Sequence, residues 1–224
     1  MTTRPHKSKK LYGWHFVPNS RRLAYSDEPL KLGRTYRVKP PIVPCVWGLH
    51  GSTRLIDALG WAPGTILTRC EYGGKIVRKG DKFAAETRTV LWIGDVTNLL
   101  HEAACVFAEW ALRRVKSPDP RSVAAIAAKR AWLRGDITTD ELNAAEHAAR
   151  MAAEDATTRC QRNAECNVLW SAAASAKSAA ESAKSAARRA AWYAVLNTTA
   201  SAAVWSDAND WLECSARELA GVDQ

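Results

Sequence analysis

Residues 65–93 read TILTRCEYGGKIVRKGDKFAAETRTVLWI, and the way this stretch is divided decides the fold. "TILTRCEY" and "TRTVLWI" are dense in β-branched and aromatic residues, and "KIVRK" is a shorter run between them. Gly73-Gly74 and Gly80-Asp81 are turn signals, so the stretch predicts three strands joined by tight turns. Upstream, "LYGWHFV" (11–17) is strand-like and stops at the turn signal "PNS". "RTYRVK" alternates Tyr36 and Val38 with Arg37 and Lys39, the pattern of a half-buried strand. "PPIVP" (40–44) forces an extended passage. Ser52 stands where it caps a short helix, "TRLIDAL", that stops at Gly60. The expected fold class is α+β: a small, mainly antiparallel sheet domain with one short helix over residues 11–95, then an all-α helical hairpin or bundle over 97–224.

The second part looks different at once. Ten of the twelve glycines precede residue 95, and no proline follows Pro120. "NLLHEAACVFAEWALRRV" places Leu99, Leu100, Ala103, Val106, Phe107 and Trp110 at the spacing of one helix face. Asp119 and Pro120 supply an N-cap and a first-turn proline for a helix ending near Gly135. Thr138 and Glu141 form a capping-box pair for the next. Residues 171–191 repeat with a period of seven, "SAAASAK", "SAAESAK", "SAARRAA". Alanines at 172, 176, 179, 183, 186 and 190 lie opposite Lys177, Glu181, Lys184 and Arg188. That stripe predicts close helix–helix approach and, through it, self-association of chains. The tryptophans at 170, 192, 205 and 211 supply the bulk that alanine lacks.

The net charge of +9 belongs to the first half, where residues 1–120 hold 20 Lys and Arg against 10 Asp and Glu. Residues 121–224 are nearly balanced, at 12 against 13. Residues 1–10 read as a basic tail, and the next residues are too polar for a signal-peptide core. Every alanine-rich stretch is broken by charge or serine, so no membrane span and no membrane partner are expected, and the expected compartment is the cytoplasm of a bacterial host cell. The six cysteines are scattered without a Cys-x-x-Cys pair, which predicts reduced, buried thiols and no metal. His101 and Cys105, four apart on a helix, are read as a helix-surface coincidence.

Chemistry is expected around "CVWGLHGSTR" (45–54), where a strand ending in glycines leads into a Ser-Thr helix start that can face an anion. The candidate ligand-binding residues are His15, Trp47, His50, Ser52 and Arg54, with no catalytic residue assigned. Lys and Arg between positions 4 and 39 interleave with Trp14, Tyr25 and Tyr36, a pattern that suits nucleic-acid contact through residues 1–120.

"LYGWHFV", "LGRTYRV", "GLHGS" followed by "DALGWAPG", and "RCEYGGKIVRKGDKFAAETRTVLW" stand in an order that resembles an uncharacterised domain recurring in phage and prophage proteins, over about residues 11–93. The resemblance implies a mobile-element origin and no particular reaction. The expected function is therefore that of a non-enzymatic phage-type accessory protein that binds a host macromolecule or a nucleotide-like ligand and counters host defence. "GLHGST" is also similar to the strand-then-Ser-Thr segment of ADP-ribosyltransferase folds. That likeness implies an enzyme using NAD as cofactor, with Glu86 as the late glutamate; otherwise no cofactor is expected. The third reading is a basic nucleic-acid-binding accessory protein.

Overall fold

The computed structural model describes residues 10–23, 27–159, 174 and 202–221. The chain divides into two compact units, one ending at Asp95 and taking in the last residues from Arg217, the other Val96–Ala216. The alanine heptads, the basic tail before Lys10, Trp170, Trp192, Cys160 and Cys166 lie outside the described residues. The fold class is α+β, with a five-stranded sheet whose pairings are all antiparallel.

The sheet unit comprises β1 (Leu11–Val17), β2 (Thr35–Arg37), β3 (Leu49–Gly51), helix α1 (Leu55–Gly60), β4 (Ile66–Lys79) and β5 (Lys82–Asp95). The stretch quoted first forms two strands of 14 residues rather than three short ones. Gly80-Asp81 is the turn between them. Gly73-Gly74 is instead an irregularity inside β4, where the register with β5 shifts between Gly73 and Ile76 and Gly74 adopts a φ of +70°. A glycine at positive φ serves a bulge as readily as a turn, which is why the two cannot be told apart locally.

β4 and β5 are long enough to organise everything else. β1 pairs with β4, while β2 and β3 pair with successive parts of β5. Trp14 and Ser52 then exchange backbone hydrogen bonds of 2.8 and 3.0 Å, tying the end of β3 to β1. The circuit β1–β4–β5–β3–β1 is thereby closed, and its lining includes Val17, Tyr36, Leu49, Cys70, Tyr72, Phe83 and Val90. Tyr72 and Phe83 meet edge to face, 4.7 Å between ring centroids. Gly51 packs against both: a Cβ there would lie 2.6 Å from Tyr72 Cζ and 3.1 Å from Phe83 Cζ, and closer still to the Tyr72 hydroxyl.

Ser52 does not cap α1, contrary to the sequence expectation. The helix begins at Leu55, its N-cap is Arg54, and no side chain caps it. Ser52 is spent on the bridge to Trp14, and the helix is held by burial of Leu55, Ile56, Ala58 and Leu59 instead.

The helical unit contains α2 (Thr97–Leu112), α3 (Pro120–Arg134), α4 (Thr139–Arg159) and most of α5 (Ala202–Ala220). Its caps match the sequence reading. Asp119 Oδ1 accepts from Arg121 N with Pro120 opening α3, and Gly135 closes it at φ +82°. Thr138 N donates to Glu141 Oε2 at 2.7 Å, and Glu141 N to Thr138 Oγ1 at 3.3 Å. Arg130 on α3 pairs with Glu102 and Glu109 on α2, and Trp211 of α5 meets Phe107 of α2 with ring centroids 6.0 Å apart.

The buried side of α2 is rotated from the expected stripe: Leu100, Ala103 and Phe107 are buried together with Ala104, Cys105, Ala108 and Ala111, while Leu99, Val106 and Trp110 are half-buried. His101 and Cys105 are not a surface coincidence: both are buried. His101 packs edge to face on Trp132, and the buried Lys129 lies 4.3 Å from the same ring. Among the described residues neither ring nitrogen of His101 has a hydrogen-bond partner. Burial, helped by Lys129, pushes its pKa down to about 3, and burial pushes the Cys105 thiol up to about 12. No described helix is long and apolar enough to cross a membrane.

Two stability predictions follow from these cores. Gly51→Ala forces the Tyr72 and Phe83 rings apart and is expected to lower stability by about 1–3 kcal/mol in denaturant unfolding, as overpacking does. In the folded protein the His101 ring stays neutral down to about pH 3, whereas in the unfolded chain it takes up a proton near 6.5. The unfolded state then binds more protons, so stability falls as pH drops through that window, by at most about 1.4 kcal/mol per pH unit. His101→Phe is expected to flatten that slope, and urea midpoints between pH 7 and pH 4 measure it.

Candidate anion-binding cavity

The sheet unit contains a cavity of about 840 Å³, within the range that takes small molecules. It lies beside β1, β2 and β3 and is bounded by the segment that leads into β2. His15, Trp47, His50 and Ser52 all line it, so four of the five residues singled out in the sequence share one site. Arg54 is not among the lining residues and stands 4.0 Å from Asp57 on α1. Among the described residues no three His, Cys, Asp or Glu side chains gather as a metal would need.

Gly48 sits at φ +136°, where a Cβ would lie 2.9 Å from Ala84 Cβ and 3.1 Å from Ile42 Cγ2, and its lack of one lets the chain turn into β3. His50 then folds back so that Nε2 accepts from Cys45 N at 2.9 Å. Burial, with Lys82 and Arg88 nearby, lowers its pKa; a hydrogen bond with the Gly48 backbone works the other way. His50 is thus a neutral brace for the 45–50 turn. Trp47 is braced as well, its Nε1 donating to the Lys39 carbonyl at 2.8 Å.

His15 is different. Thr68 Oγ1 is bonded to its backbone carbonyl, not its ring. Burial first, then Arg88 and His50, hold its pKa well below the ordinary value, so the ring is neutral. It shares a sheet face with Tyr72 and Arg88: β1 residues 11, 13 and 15 pair in turn with Tyr72, Cys70 and Thr68, and Tyr72 pairs with Arg88.

Arg88 is the residue that the sequence reading missed. It pairs across β5 with Tyr36 on one side and Tyr72 on the other, lines the cavity, and is only 3% exposed. Its Nη1 donates to the His50 carbonyl at 3.4 Å, and the Tyr72 hydroxyl donates to the same oxygen at 2.9 Å. Among the described residues its Nε has no partner, and no carboxylate pairs with it. In "TRTV" an arginine between threonines reads as solvent-facing. The only signal available was that its strand phase matches Val90, which is buried.

The remaining charges point the same way. Among the described residues six Lys and Arg side chains line the cavity against one carboxylate, Glu28, which is ion-paired with Arg34. Lys82 lies 3.1 Å over the Trp61 ring, and Trp61 Nε1 donates to Asp81 at 3.0 Å. Glu86, the glutamate of the NAD reading, is not a lining residue; its carboxylate accepts from Lys75 N at 2.9 Å beside Gly74. No protein-family model, curated protein or solved structure matches the chain.

The brace at His50 generates a prediction. His50→Ala removes the acceptor of Cys45 N–H and loosens the turn, at an expected cost of about 1 kcal/mol. Thermal unfolding of that variant checks it; an unchanged midpoint would show that the turn holds without the imidazole.

Proposed function

We propose that this chain is a non-enzymatic accessory protein of the phage type that binds a nucleotide-like ligand in the cavity of its sheet unit, and that withholding or sensing this ligand is its means of countering host defence. The observation that carries the binding reading is Arg88, a buried guanidinium on the cavity wall with no carboxylate partner among the described residues. A buried charge is costly unless it is paired, and an anionic group of a ligand supplies the missing partner. Guanidinium groups suit phosphate in particular, because their donors match its oxygens two at a time. Trp47 and Trp61 on the wall offer faces for a heteroaromatic base.

Binding is preferred over catalysis because the lining offers cations and rings while its one carboxylate is tied to Arg34. A nucleotide is preferred over a host macromolecule because the charge that needs a partner is buried rather than spread on an open surface.

Thermal unfolding of the full chain with AMP, NAD or a short single-stranded DNA tests the reading. A ligand present at about 100 times its Kd stabilises the folded state by roughly 2.7 kcal/mol, a shift of several degrees. Nucleotides are expected to raise the midpoint, and Arg88→Met to abolish the rise. Should Arg88→Met fail to fold, Lys82→Met and Arg37→Met are expected to weaken the response. A wild-type midpoint that no anion moves would refute the proposal, and a response to DNA alone, steeply weakened by salt, would favour a nucleic-acid interface.

A further inference from the structure

Resting on that reading, we infer that the cavity selects a terminal, doubly charged phosphoryl group over a phosphodiester, with His15 as the second cation beside Arg88. Both residues line the cavity from the same face of the sheet. Arg88 on β5 and His50 on β3 act electrostatically on His15, Cys70 and Tyr72 on β4 share its sheet face, and Tyr36, Arg37, Lys39, Cys45 and Lys82 line the same cavity. Arg22, Glu28 and Arg34 lie along the wall that precedes β2.

None of these balances an imidazolium. Burial pushes both the Cys70 thiol and the Tyr72 phenol up, so neither is an anion at neutral pH. Glu28 is committed to Arg34, and it is the one carboxylate among the described lining residues. Without a bound anion the cavity therefore keeps the His15 ring uncharged in the field of Arg88.

A phosphomonoester changes the balance. It brings two negative charges, and the guanidinium of Arg88 answers one of them. The second makes it favourable for a ring nitrogen of His15 to take a proton from solvent and donate it to a phosphate oxygen as a charge-assisted hydrogen bond. A phosphodiester brings a single charge, which Arg88 alone meets, and leaves His15 neutral. Discrimination thus comes from proton uptake at one histidine rather than from the shape of the base.

Titration calorimetry of the full chain with 5′-AMP, 3′,5′-cyclic AMP and sodium sulfate tests this. AMP is expected to bind about tenfold or more tightly than its cyclic diester at pH 6. Sulfate, a dianion that does not itself titrate in this range, is expected to bind with uptake of up to about one proton, read from the dependence of the heat on buffer ionisation, and more tightly at pH 6 than at pH 8. His15→Gln should bring AMP down to the affinity of the cyclic diester, leave the diester unchanged and flatten the sulfate pH profile. If that variant fails to fold, the wild-type sulfate measurements decide by themselves. Equal wild-type affinities for AMP and cyclic AMP, a sulfate affinity that ignores pH, or a His15→Gln loss shared equally by both nucleotides would overturn the inference and leave the binding reading standing. Failure of all three probes to bind would remove both.

Discussion

The carbonyl oxygen of His50 accepts from the Tyr72 hydroxyl and from Arg88, two side chains that stand side by side on β4 and β5. β3 has only three residues, too few to hold itself in a sheet by ladder bonds alone. The two donors fix it across the interior, and the Trp14–Ser52 backbone pair fixes its far end to β1. Gly51 lacks a side chain because the Tyr72 and Phe83 rings occupy the space where one would be. The closed circuit of strands, the turn that carries Trp47 and the cavity wall all follow from that anchoring.

The two units solve the problem of a core in different ways. The sheet unit buries large rings, Trp14, Phe16, Tyr72 and Phe83 among them. The helical unit buries many alanines, which bring helices close but remove little surface each. Arg130, reaching Glu102 and Glu109 from α3, adds a specific tie between α2 and α3, and its own pKa is driven upward by those two carboxylates. The unit also keeps His101 and Lys129 inside, grouped on Trp132. Burial, helped by the charge of Lys129, keeps the His101 ring neutral there.

What was legible in the sequence was what is decided locally. Asp119, Pro120, Gly135, Thr138 and Glu141 act on backbone groups within a few residues of themselves, so their roles can be read from spacing. The strands could be found for the same reason, but their division could not: Gly74 satisfies a bulge and a turn equally, and only the length of β5 opposite decides between them. Ser52 has the chemistry of a cap, yet its backbone is claimed by Trp14, some forty residues away in sequence. His15, Trp47 and His50 stood out as rare residues near glycines, and the fold brings them to one cavity. Arg88 could not stand out, because its burial depends on register shifts in β4–β5 that no local pattern encodes.

The positive charge of the first half therefore consists of two physically different kinds. Residues such as Arg34, Arg37 and Lys39 are exposed and keep most of their hydration, so their presence costs little and says little about a partner beyond its sign. Collected around a concave site they raise the local concentration of anions and the rate of encounter, an effect that salt screens. Arg88 has surrendered its hydration and holds a neutral carbonyl in exchange, an arrangement that weakens the empty fold. The exposed cations set up a field that reaches into solvent, whereas the buried one presents its donors at a fixed point of the cavity wall.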